Sequence, residues 1–312
     1  MNITHLVFDS QQKLGISQFA TETTDTLQYI CGETAVKEGL LEVLEVDRAG
    51  DVNRLTVINH AEIPVFLMDG DLLVGAKQNR VVNTSVFLAP KAKIIIPVSC
   101  VERGRWHFVS SGFTFYPSVA PMSLRCEKSR QVSEHLRMYG LPDSDQGEIW
   151  DLVERYHSAL RSESPTRSIT DIISSRESKF SEFVSRFSPD DSANGLAVFM
   201  DRKLVAIDIF DRRDVYRTYF PKIVRAAAVD VFAARSAKSA LTPAEAFFVT
   251  AETLDAVEEL PKETHPGVSL GEERRFSGEE YAGFALYYAD RLVHLSVSCS
   301  SRFNEGEKAR RG

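Results

Sequence analysis

The sequence predicts an α+β fold, in which an N-terminal antiparallel β-rich part, a sandwich or partly closed barrel, packs against a C-terminal helical and mixed α/β part. Three observations predict it. From about residue 40 to residue 101, β-type runs follow one another across short polar turns with no long helix between them, which favours antiparallel pairing. After Pro117 the apolar residues recur at three and four, the helical period. From Gly195 the strand texture returns. At 312 residues the chain exceeds the usual single domain. The change of texture divides it into a β-rich unit over 1–120, an α+β unit over 121–303 and a charged tail over 304–312.

Taken in order, residues 1–30 mix short apolar alternations such as LVF and ISQF with Thr-rich segments, the pattern of edge strands and loops. The run ETAVKEG between Gly32 and Gly39 reads as a short helix with a glycine stop. LLEVLEV and RLTVINHAEIPVFLMDGD continue as strands, with Pro64 at an edge or a kink because proline cannot donate to a ladder. VVNTSVFL, APKAK and IIIPVSCV then read as strand, turn, strand. Helices are predicted over 123–140, 145–162 and 168–187. Ile149, Leu152, Val153, Tyr156 and Leu160 carry one stripe, and Phe180, Phe183, Val184 and Phe187 another, with a loop around Pro165. LAVFM and LVAIDIF, joined by a turn at 201–203, read as a hairpin. A long helix over about 213–236 must take Pro221 in its first turns or kink there. Thr242 and Pro243 suit the N-cap and first position of a further helix. EERRFSG and AGFALYYADRLVHLSVSC close the chain as strands, and the tail from Asn304 is expected to fray.

Composition narrows the functional classes. Hydrophobic residues at 43% and charged residues at 26% suit a soluble globular protein. A formal net charge of -7 argues against sequence-independent nucleic-acid binding, whose affinity comes from excess Lys and Arg on phosphates. A small anion held by a few arginines stays compatible with it. The start, MNITHLVFDSQQKLG, lacks a basic, apolar leader, and no apolar run approaches the ~20 residues of a span, so the expectation is a cytoplasmic protein with no membrane partner. Cys31, Cys100, Cys126 and Cys299 form no CxxC pair and are expected as reduced, buried thiols. His60, His107, His135 and His157 lack ligand spacing, so no metal site is expected. There is no Walker A, dinucleotide fingerprint or GxSxG elbow, and no cofactor can be named.

The stretch from Asp69 to Trp106 concentrates the residues that could carry chemistry. Lys77, Gln78, Asn79 and Arg80 follow Gly75, and offer donors for a phosphate or carboxylate. They could equally be a hairpin corner facing water. Glu102, Arg103, Gly104, Arg105 and Trp106 follow an apolar strand. Glu102 could orient one guanidinium while the other binds an anion and the indole stacks on a ring. The competing reading is a surface Glu–Arg pair with Trp106 as a core plug. Cys100 has arginines nearby but lacks the C-x5-R spacing of a phosphatase loop, which favours a structural thiol. Asp208 interrupts an apolar strand and is either a general acid/base or half of a buried pair. Asp211 to Asp214 read as a solvated turn and helix start, and His294 as a satisfied core or edge histidine.

At GDLLVGAKQNRVVNTSV and IPVSCVERGRW the chain resembles the ADP-ribosylglycohydrolase- and rhodanese-phosphatase-associated protein domain family. Supporting elements are the Leu124-Arg125 and Lys128 segment, Gln146 with Trp150, the loop near Thr166, and GLAVFMDRKLVAIDIF. The resemblance spans nearly the whole chain and implies a role in NAD and ADP-ribose metabolism, with no catalytic residues to carry over. Two readings result. In the first, an ADP-ribose-like or other phosphorylated nucleotide metabolite sits with its pyrophosphate on Lys77, Arg80, Arg103 and Arg105 and a ring on Trp106. A hydrolase or transferase of this kind would use Glu102 or Asp208 as base. In the second, the chain is a non-enzymatic binding or scaffold module for ADP-ribose-processing partner enzymes, with Arg and Trp as an interface hot spot. A concave pocket that also takes in Asp208 marks the first, and an exposed Arg/Trp surface the second.

Overall fold

In the computed structural model, which describes residues 1–22, 27–234 and 241–299, strands dominate the first third of the chain. A hairpin of β1 (Ile3–Gln11) and β2 (Leu14–Thr21) comes first, and β3 (Ile30–Cys31) then runs into the short helix α1 (Gly32–Lys37). Gly39, at φ +70°, stops that helix in the left-handed conformation expected of it. There follow β4 (Leu41–Glu45), β5 (Arg54–Asn59), β6 (Val65–Leu67), β7 (Asp71–Gly75), β8 (Arg80–Val82), β9 (Val86–Leu88), β10 (Lys93–Cys100) and β11 (Phe113–Val119).

The helical stretch begins with α2 (Met122–Tyr139), closed by Gly140, and α3 (Gln146–Leu160), where the Asp145 carboxylate accepts the Glu148 N–H at 2.9 Å. The helix expected over 168–187 is two, α4 (Ile169–Ser174) and α5 (Glu177–Val184). After them come β12 (Gly195–Met200), β13 (Lys203–Phe210), α6 (Arg213–Ala233), α7 (Pro243–Glu259), β14 (Glu263–Pro266), β15 (Glu272–Ser277), β16 (Tyr281–Tyr288) and β17 (Arg291–Cys299). The break at Ser175-Arg176 has a packing cause, because α4 lies on α3 whereas α5 lies on α6. Pro221 sits inside α6, beyond its first turns. Burial of Tyr219, Phe220, Ile223 and Val224 around it outweighs one missing backbone bond. Thr242 and Glu245 form a capping box ahead of α7. Positions 235 and 236 of the expected helix and the tail over 304–312 lie outside the described residues.

An eight-stranded sheet has the order β1-β2-β12-β13-β17-β16-β15-β14 and is antiparallel throughout. A six-stranded antiparallel sheet has the order β11-β7-β8-β10-β5-β4, and β3-β6-β9 form a third, with β3 parallel to β6. The α+β class expected from the sequence is the class observed. The first hairpin crosses the division drawn at residue 120, since β2 pairs with β12 from Leu14–Met200 to Phe19–Gly195. Strand alternation explains how β12 is buried on both faces. Leu196, Val198 and Met200 join the core with α2, α3 and α6, while Ala197 and Phe199 join the core under α7. A further core fills the six- and three-stranded sheets, with Leu55, Leu73, Val82 and Val98 facing Val65, Leu67 and Val86. Strands β7, β8 and β10, which carry the two motifs, therefore stand on packed layers.

Candidate functional site

The turn after β7 and the loop after β10 interlock. Gly75 takes φ +131°, and a Cβ there would lie 2.5 Å from the Gly112 carbonyl oxygen, so only glycine lets the loops approach. Arg105 reaches back into the turn, where its Nη1 donates to the Ala76 carbonyl at 2.6 Å and its Nη2 to Asn79 Oδ1 at 3.1 Å. The same guanidinium forks onto Glu102, with Nε to Oε1 at 3.0 Å and Nη2 to Oε2 at 2.7 Å. Glu102 also accepts the Asn79 N–H at 2.9 Å. Burial alone would raise the Glu102 pKa, but donors from Arg105, Thr166 and Asn79 hold it below the ordinary value. Asn79 completes the knot by donating to Ser168 and Thr170 at the start of α4.

Lys77 and Arg80 are buried beside this knot. The Lys77 ammonium donates to the Arg48 and Ala49 carbonyls at 2.6 and 2.5 Å. The Arg80 guanidinium donates to the Gln78 carbonyl at 2.9 Å and lies 3.8 Å from Glu45. Gln78 Oε1 accepts the Cys100 thiol at 2.7 Å. Burial pushes that thiol up to about 12, with Arg80 opposing, so Cys100 stays protonated and structural. Above the cations, Trp106, Phe108 and Val109 are 44%, 49% and 60% exposed. Lys77 Nζ lies 5.1 Å from both ring centres, and the Arg80 guanidinium 5.7 Å from the indole. Arg103 is exposed and lies 5.4 Å over Trp150. Of the residues singled out in the sequence, Lys77, Gln78, Asn79, Arg80, Glu102, Arg105 and Trp106 thus come together, and Arg103 stands at their rim.

Asp208 belongs to a different network. Arg125 from α2 forks onto it, with Nη1 to Oδ2 at 2.9 Å and Nη2 to Oδ1 at 2.7 Å. Burial would raise this carboxyl, but Arg125 and His294 outweigh it and hold Asp208 far below the carboxylate range. His294 Nε2 sits 3.2 Å from Asp208 and its Nδ1 2.9 Å from Ser85 Oγ. These are the residue types of a nucleophile, base and orienting acid. All three are nonetheless sealed in the core, and Ser85 Oγ accepts the Asp69 N–H at 2.9 Å. Asp69 pairs in turn with Arg125 at 3.3 Å and with Lys128, and Lys128 also donates to the Asn83 carbonyl at 2.7 Å.

A family comparison covers all of this geometry. The model of the ARG and Rhodanese-Phosphatase-superfamily-associated Protein domain, ARPP-1, matches residues 5–298. The chain belongs to the ARPP-1 family. No curated protein and no solved structure matches it. The resemblance seen at the two motifs thus extends over nearly the whole chain, and the family's name links ARPP-1 to ADP-ribosylglycohydrolase and rhodanese-phosphatase proteins.

Chemically, this ARPP-1 site is a densely hydrogen-bonded platform under an exposed aromatic tip. Glu102 and Asp208 each face an arginine, and both sit as ionised partners in closed ion pairs. Sequence reasoning missed the Arg125, Lys128 and Asp69 roles and the Glu273–Arg275 pair that joins Thr84 nearby. A signal existed. Arg125 and Lys128 are charged residues on the face of α2 that also carries Leu124 and Val132 into the core, and a buried arginine implies a buried carboxylate. Among the described residues, no helix is long and apolar enough to cross a membrane, and no group of three His, Cys, Asp or Glu could hold a metal.

Proposed function

We propose that this ARPP-1 protein is a non-enzymatic module that docks a partner enzyme of ADP-ribose metabolism, in the cytoplasm, through the tip of its 103–110 loop. The observation that carries this reading is the exposure of Trp106, Phe108 and Val109 on a loop whose base is clamped by Arg105. Large apolar side chains held rigidly in water lose little entropy on binding, and Trp and Arg are the residue types that dominate interface hot spots. Lys77 and Arg105 direct their side-chain donors to the protein's own carbonyls and carboxylates, and the two candidate bases are paired with arginine. The family's name, which joins the domain to ADP-ribosylglycohydrolases and rhodanese-phosphatases, supplies the class of partner.

A titration of the purified protein against an ADP-ribosylglycohydrolase, followed by calorimetry, tests it. Trp106→Ala and Phe108→Ala should each weaken association by about 30-fold, the ~2 kcal/mol of a hot-spot residue, with the melting temperature little changed. Affinity unchanged in both variants would sink the docking reading. A second reading, recognition of an ADP-ribose-like or other phosphorylated nucleotide metabolite, is favoured by one observation, the indole of Trp106 lying over the Lys77 and Arg80 cations.

A further inference from the structure

Beneath Trp106 the buried charges do not cancel. Lys77, Arg80 and Arg105 are cations, and the buried carboxylates among them are Glu45 and Glu102. Glu102 is closed by Arg105, which leaves Glu45, among the described residues, as the buried carboxylate beside Lys77 and Arg80. That carboxylate lies 3.8 Å from Arg80 and uses its Oε1 to accept the Lys77 main-chain N–H at 3.1 Å. Glu45 Oε2 and Arg80 Nε are buried without a hydrogen-bond partner. Gln78 accepts from Arg80 Nη1, and the segment between β4 and β5, residues 46–53, straps over the cluster and meets Lys77 Nζ and Arg80 Nη2. Arg48 and Ala49 give their carbonyls to Lys77, and Asp51 gives its own to Arg80 Nη2 at 3.4 Å. A carbonyl oxygen offers partial charge where a buried ammonium calls for a counter-ion.

We propose that Lys77 and Arg80 form a binding site for a small phosphate-bearing molecule, closed in this structure by the 46–53 strap, whose three carbonyl oxygens hold the places of the phosphate oxygens. The proposal rests on the metabolite reading of this site and adds its ligand class and its gate. Three acceptors shared between an ammonium and a guanidinium match a phosphoryl group, and full negative charge on those oxygens would balance the cluster. The strap is built to lift. Its residues 46–49 are exposed, and Asp47 holds its tip by accepting the Gly50 N–H at 2.9 Å. Gly50 takes φ +77°, and a Cβ there would stand 3.1 Å from Lys77 Cδ and 3.3 Å from Trp106 Cζ2. Substituting Gly50 therefore strains the closed strap, and a ligand that binds only the open form gains whatever the closed form loses.

The test reads Trp106 fluorescence in a Trp150→Phe background, titrated with ribose 5-phosphate, AMP, adenosine and acetate. Gly50→Ala and Asp47→Ala should each tighten ribose 5-phosphate and AMP by roughly fivefold or more, and Lys77→Met should abolish both. Adenosine and acetate should leave the signal unmoved. If the parent binds phosphates but both strap variants bind equally or more weakly, the gate is overturned and the metabolite reading survives. If neither phosphate binds any variant, the site and the metabolite reading fall together. Acetate binding as tightly as ribose 5-phosphate overturns the phosphate assignment.

Discussion

Asp208 and Asp230 are both fully buried carboxylates, and their partners send them in opposite directions. Asp208 meets the Arg125 fork and stays ionised at any ordinary pH. Among the described residues Asp230 meets neutral donors, including the Tyr156 hydroxyl at 2.6 Å, the Ser123 hydroxyl at 2.9 Å and the Met122 N–H at 2.7 Å. Burial pushes it up to about 6, with those donors opposing. A carboxyl whose folded pKa is raised stabilises the fold fully below its unfolded value near 3.8, and loses that contribution as pH rises through about 6. Asp230→Asn cannot ionise. Its stability relative to the parent should therefore improve between pH 4 and pH 7, by up to about 3 kcal/mol, the free energy that links the folded and unfolded titrations. Urea unfolding of both proteins across that range measures it, and parallel pH profiles would show that Asp230 does not titrate there. Only the partner chosen by the fold distinguishes the two residues.

At the scale of the element, turn chemistry decided more than propensity. The two-residue turns Asp201-Arg202 and Ala289-Asp290 join β12 to β13 and β16 to β17 with φ of 46° and 67°, and 50° and 60°. Positive φ at both central positions is the mirror-image turn whose twist matches a hairpin. Alanine and aspartate fill the second turn at a steric cost that asparagine and glycine would avoid. The double substitution Ala289→Asn, Asp290→Gly should raise stability by roughly 1 kcal/mol. The midpoint of urea unfolding should move up at constant slope, and an unmoved midpoint would show that the turn carries no strain. The hairpin over 195–210 was legible because apolar alternation brackets a short polar turn. The break between α4 and α5 was not, because the periodicity of 168–187 is continuous and only the choice of packing partner interrupts it.

For the whole molecule, the first hairpin determines whether the halves are separable. Leu14 and Ile16 of β2 enter the core shared with α6, and Phe19 packs with Ala197, Phe199 and Leu254. Without residues 1–22, β12 becomes an edge strand with apolar side chains on both faces, a surface prone to mispairing. That deletion should remove the sharp cooperative unfolding of the whole chain and create dye-binding apolar surface. An intact single transition in far-UV circular dichroism and tryptophan fluorescence would refute it, and would favour a unit over 121–303 that stands alone.

By itself the sequence determined what is local. Strand and helix periods, the Gly39 stop, the Thr242-Pro243 start and the two motif turns all depend on residues within a few positions of one another, so they can be read along the chain. It also brought Lys77, Arg80, Glu102, Arg105 and Trp106 forward, since their chemistry is concentrated in two short runs separated by one strand pair. Tertiary structure alone decided what each charge faces. Asp208 finds Arg125 across 83 residues and His294 across 86, and Lys77 finds its acceptors in the strap, 28 and 29 residues before it. A charge shows in the sequence, but its counter-charge is chosen by the packing of elements far apart in the chain. That choice turned two candidate bases into closed ion pairs and left an exposed aromatic tip over a pair of cations.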